Sequence, residues 1–189
     1  MTTNDAVLRA LAHPTRLRML SLMWAAPQSA AALARELGIS HALASHHLRL
    51  LGAAGLAELD GTRTRRGGVE RRYRTVHGTP LSDQGERDGT ALLSETLAHN
   101  LRERAARHAP GSPGVTADAE LWLTPADWDG FRRRMAELLA DLHDAAQPPH
   151  APDTVRVGGT VMLFPLAEDD DTADHDGGGD GSGAGGGGR

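Results

Sequence analysis

The 189-residue chain contains no cysteine, which excludes disulfides, thiolate redox centres and thiolate metal ligands. It contains no lysine either, so all 20 basic residues are arginines, the side chain suited to bidentate phosphate contacts. Aromatic residues number only six, and four of them, Trp122, Trp128, Phe131 and Phe164, lie between residues 115 and 166. No stretch approaches the roughly 20 apolar residues of a membrane span, and no charged segment followed by an apolar run marks a signal peptide. The expectation is a cytoplasmic protein. Catalytic signatures are missing as well: there is no Gly-x-Ser-x-Gly and no His-Glu-x-x-His. His46 and His47 point about 100° apart on one helix that offers no carboxylate to orient them, so no catalytic residues and no cofactor are expected.

What is present is unevenly distributed. Residues 1–78 carry 11 Arg against 5 acidic residues, whereas residues 79–189 carry 9 Arg against 20, which together give the net charge of −5. A basic front half suits a polyanionic partner, and an acidic rear half would face away from it.

The clearest pattern is SAAALARELGISHALASHHLRLLGAAGL, from Ser29 to Leu56. Ser29 is a helix N-cap, Leu33 and Leu37 recur at helical spacing, and Gly38 supplies the left-handed residue that ends the helix. Ser40 then caps a second helix that ends near Gly55, and the short connection makes a helix-turn-helix. At 100° per residue His41, Ala42, Ser45, His46 and Arg49 share one arc of the second helix. Leu43, Ala44, Leu48, Leu50 and Leu51 fall on the other, and His47 reads as a core histidine. The polar arc offers donors and acceptors to base edges, room for a thymine methyl, and a guanidinium for guanine or phosphate. Two amphipathic helices that merely pack together would be the plain alternative.

The segment that follows argues against the plain alternative. Leu56 to Asp60 and Val69 to Val76 alternate as strands around a polar loop from Gly61 to Gly68. Arg63, Arg65 and Arg66 lie in or near that loop, and Arg71, Arg72 and Arg74 lie on the returning strand. A basic hairpin beside a recognition-type helix reads as a wing that meets phosphates, although a solvated charge run has the same composition.

In combination LAHPTRLRML (11 to 20), LARELGIS (33 to 40), SHHLRLLGAAGL (45 to 56) and VERRYRTV (69 to 76) resemble the ArsR-type winged-helix transcriptional regulators over about the first 80 residues. The resemblance implies a DNA-facing role for Ser40, His41, Ala42, Ser45, His46 and Arg49, and a wing role for Arg63, Arg65, Arg66, Arg71, Arg72 and Arg74. It also implies a homodimer that represses from a palindromic operator on double-stranded DNA and lets go when an unidentified small-molecule effector binds. The absence of cysteine separates this chain from thiolate metal sensors. Glu95, His99 and Glu103, with His108 beyond, could make a histidine and carboxylate metal site, but the Asp-x-His pairing of the family's zinc sites is missing. A solvated helix face explains them better, and no metal site is expected. A winged helix used only for protein contact is the remaining rival.

The expected fold is mainly α with a small β component, an α+β winged helix-turn-helix over residues 1–80. Asn4 would cap a first helix to Ala12, and Pro14 would open a second to about Trp24. Residues 81–108 should form a long helix beginning at Ser82, with Leu92, Leu93, Leu97 and Leu101 as a dimer seam. Residues 115–166 should form a small strand-helix-strand unit, with strands at 117–123 and 154–164 around a helix from Pro125 to Ala146, started by Thr124, Pro125 and Asp127. Its aromatics read first as a sparse core and second as an apolar effector pocket. Residues 167–189, acidic and then almost pure glycine, are expected to be a disordered tail in which Asp169 to Asp176 and His175 could hold cations weakly.

Overall fold

A computed structural model describes residues 3–65, 68–76 and 87–167. Met1, Thr2, Arg66, the start of the long helix at Ser82 and the acidic tail lie outside the described residues.

The HPTR segment builds the first corner. Helix α1 (Thr3–Leu11) stops where His13 turns extended and caps α2 (Pro14–Trp24), its Nδ1 accepting from the Thr15 amide at 3.2 Å. Arg16, one turn into α2, donates back to the Ala10 carbonyl and, at 2.7 Å, to the Arg9 carbonyl. One residue thus caps the new helix while another satisfies the last carbonyls of the old one.

Two-residue strand β1 (Gln28–Ser29) leads into α3 (Ala30–Leu37), where Ser29 Oγ accepts from the Ala32 amide and Gly38, at φ +67°, closes the helix. Ser40 Oγ accepts from the Leu43 amide and starts α4 (His41–Ala53). After Gly55, at φ +71°, the chain forms β2 (Ala57–Arg65) and β3 (Gly68–Thr75). The sheet order is β1-β3-β2, antiparallel throughout, with an irregularity between Leu59 and Gly61.

The core lies between α1, α2, α3, α4 and the base of the sheet. Leu11, Met19, Met23, Leu33 and Leu51 are fully buried, each burial contributing about 1.5 to 3 kcal/mol. Thr75 Oγ1 donates to the Leu20 carbonyl at 2.9 Å and pins the returning strand to α2. Helix α5 (Arg87–Ala105) packs on α1 and α2, with Asn100 buried and donating to the Pro14 carbonyl at 3.3 Å.

The α+β class holds, but the structure differs from the sequence pattern in four places. Asn4, expected as the cap of the first helix, lies inside α1. Residues 61–65, expected as loop, continue β2, so the wing is a longer ribbon with Arg65 paired to Gly68. Thr62 and Thr64 suit a strand, and the ribbon has no buried face there to produce a hydrophobic alternation. Leu43 and Leu50, placed on the inner arc of α4, are 41% and 37% exposed because they flank the buried line of Ala44, His47, Leu48 and Leu51. Beyond α6 (Pro125–Asp144), whose Thr124 cap matches expectation, the flanking segments 117–123 and 154–164 run without a ladder among the described residues. Gly158 and Gly159 interrupt the second segment, and Pro165 follows its end. Side chains hold it instead: Arg104 donates to the Gly159 carbonyl and Thr160 Oγ1, at 2.8 and 2.9 Å.

Candidate nucleic-acid interface

Helix α4 presents the sequence-derived arc as a single exposed face. His41, Ala42, His46 and Arg49 are exposed, Ser45 is half-buried, and Ser40 caps the helix from its exposed N-terminal end. Arg49 has no ion pair among the described residues, so its guanidinium is available to an external acceptor. The free amides of a helix N-terminus add a partial positive charge beside this face.

Beneath the arc lies a cluster that sequence reasoning recognised only in part. His47 is buried, and neither ring nitrogen has a hydrogen-bond partner among the described residues. Its ring packs 4.6 Å from His13 and 5.8 Å from His46. Burial, with further contributions from His13, Arg16 and His46, pushes the His47 pKa down to about 4. Burial and Arg16 also lower His13. Recognition helix and HPTR corner therefore meet through neutral imidazoles. The HPTR motif was the signal available in the sequence, but nothing in the motif names His47 as its neighbour.

The wing distributes its arginines over both faces of the ribbon and gives them different surroundings. Arg63, opposite Glu70, and Arg71, opposite Thr62, are exposed. Arg72 donates to the Pro27 carbonyl and ties β3 to the segment entering α3. Arg74 pairs with Glu58 at 2.7 Å and lies 3.7 Å from Asp60, and these carboxylates raise its pKa. Arg65 lies at the end of β2, and Arg66 is outside the described residues.

On α5 the four leucines do not form one outward row. Leu93 packs against the core and Leu97 is half-buried, while Leu92 and Leu101 are about half exposed. Glu95, His99 and Glu103 are exposed, and among the described residues no three His, Asp or Glu side chains are grouped to hold a metal ion.

Glu36, on the first helix of the pair, went unnoticed in the sequence. Its carboxylate meets His150 Nε2 at 2.8 Å and Arg156 at 3.6 Å, and these contacts lower its pKa. His143 stacks on Trp24 with ring centroids 4.0 Å apart. Residues 148–150 thereby close a cleft of about 440 Å³ against Leu33, Arg35, Glu36 and Arg72.

Among the described residues no helix is long and apolar enough to cross a membrane. No curated protein matches the chain. The family described as Helix-turn-helix domain matches residues 11–60, from the HPTR corner through α3 and α4 into β2. A helix-turn-helix domain, a non-catalytic module that binds DNA, is present over that span, and with it goes a general role in transcriptional regulation.

Proposed function

We propose that the chain is a homodimeric winged-helix repressor of the ArsR type. In this reading the Ser40 to Arg49 face enters the major groove of a palindromic operator, and the wing arginines clamp the flanking phosphates. The observation that carries it is the exposed polar face of a Ser40-capped α4, with an unpaired Arg49, on a second helix anchored by its buried side. The basic front half supports the same reading. Among the wing arginines, Arg63 and Arg71 are exposed with no partner among the described residues, which suits direct phosphate contact. Arg72 and Arg74, already engaged at Pro27 and Glu58, set the position of the ribbon.

Selection of bound duplexes from a random pool, followed by titration at several salt concentrations, tests the proposal. The expected result is a palindromic site with a steep salt slope. Arg63→Ala and Arg71→Ala should each lower that slope by about one without changing the preferred sequence. Arg49→Ala should relax the preference at one position of each half-site. Absence of enrichment, with these variants unchanged in behaviour, would turn the reading toward a protein-contact module using exposed Leu43 and Leu50 beside the same arc.

A further inference from the structure

The cleft of about 440 Å³ between α3 and residues 148–150 falls in the size range of small-molecule sites. Leu22, Leu33, Pro148 and Pro149 give it apolar walls, and Arg35, Glu36, Arg72 and His150 bring charge to the same space. The wall contributed by the C-terminal segment is fixed in place. His150 takes a left-handed backbone at φ +64°, uncommon for a residue with a side chain, and its ring meets Glu36 at 2.8 Å. His143, stacked on Trp24, anchors the end of α6 that leads into this wall. The charges in the cleft are unequally satisfied. Glu36 is held from within the chain by His150 and by Arg156 at 3.6 Å. Arg35 is exposed, with no ion-pair partner among the described residues, and Arg72 donates to the Pro27 carbonyl, a neutral acceptor.

We infer that this cleft binds a small organic anion, a carboxylate carried on an apolar ring. The carboxylate meets the guanidiniums of Arg35 and Arg72, whose planar forks suit its two oxygens. The ring lies against Leu22, Leu33 and the two prolines, where its burial removes apolar surface from water on both sides. Other ligand classes match only part of the lining. A cation would face Arg35 and Arg72 while Glu36, the acid beside them, is already engaged. Inorganic phosphate would satisfy the arginines and leave the apolar walls uncovered, and a neutral hydrocarbon would do the reverse. The inference does not depend on DNA being the ligand of α4.

Chemical-shift mapping of the full chain without DNA, titrated with 2-naphthoate, its neutral amide and inorganic phosphate, tests it. 2-Naphthoate should bind with a dissociation constant of about 1 mM or tighter and shift the backbone amides of Leu33, Arg35, Glu36 and His150. The amide, which keeps the ring and loses the charge, should bind about tenfold more weakly, and phosphate, which keeps the charge and loses the ring, should do the same. Arg35→Gln, at an exposed position, should keep the spectrum of the folded chain and weaken 2-naphthoate about tenfold. Because the bound ring bridges α3 and residues 148–150, 2-naphthoate should also slow tryptic cleavage after Arg156 several-fold. No shift up to about 10 mM would overturn the inference, as would shifts confined to the wing. So would an amide or a phosphate as tight as the acid, or an Arg35→Gln chain that binds 2-naphthoate like the wild type. Binding of the same preparations to duplex DNA reads the DNA function separately, so the two proposals fail independently.

Discussion

His47 shows how one buried side chain can make a fold sensitive to pH. Its imidazole is neutral in the folded chain because burial holds its pKa near 4, whereas an unfolded histidine titrates near its ordinary value, about 6.5. Protons are therefore taken up first by the unfolded state. The contribution to stability is complete above about pH 6.5 and is lost as pH falls from there toward about 4, at up to about 1.4 kcal/mol per pH unit. The urea midpoint should fall between pH 7 and pH 5, and His47→Leu, similar in volume and without a proton to bind, should flatten that fall. An equal slope in wild type and variant would move the effect to other groups. His13, also depressed, is expected to supply the remainder. Arg16 acts without titrating: its two bonds to the carbonyls ending α1 are charge-assisted, so Arg16→Ala should lower unfolding stability by about 2 kcal/mol at neutral pH. A change below about 0.5 kcal/mol in denaturant unfolding would mean that water replaces the guanidinium there at little cost.

At the scale of elements, the C-terminal segment acts as a strap held at separated points, Glu36 on α3 and Arg104 on α5. Exposed ion pairs of this kind are individually weak, so removing one anchor should loosen the strap without melting the core. Glu36→Ala is expected to speed tryptic cleavage after Arg156 several-fold while the thermal midpoint of the helix-turn-helix stays within a few degrees. Cleavage at the wild-type rate would show that Arg104 alone secures the segment. The strap also marks the boundary of what sequence reading reaches. The caps at Ser29, Gly38, Ser40 and Thr124 act on backbone groups within a few residues, so their types and spacing were legible, as was the polar arc of α4. The upper wing was not, because Thr62 to Arg65 are polar on both ribbon faces and leave no period to read. Leu43 and Leu50 match the apolar set in composition, and only the direction of α4 against the core separates them from Leu48 and Leu51. Glu36 and His150 are 114 positions apart, a pairing that no local pattern encodes.

For the whole molecule the deciding quantity is the separation of charge along the chain. Residues 1–78 have a net charge of +6, and residues 79–189 have −11. Residues 168–189 alone hold seven acidic groups against the single Arg189. A polyanion tethered to a basic module raises the local concentration of competitor for its arginines, and the competition is Coulombic and so screened by salt. Exposed Arg49, Arg63 and Arg71 are the groups such a segment would reach in place of phosphate, while Arg74, already neutralised by Glu58, should be indifferent to it. Deleting residues 168–189 should therefore tighten binding to any duplex several-fold at about 50 mM salt, with the difference closing by about 0.5 M as the Debye length shrinks. Replacing the seven acidic residues by asparagine and serine in the full-length chain should reproduce the effect, which separates charge from length. Equal affinities for full-length and truncated chains across that salt range would show that the acidic half stays clear of the interface.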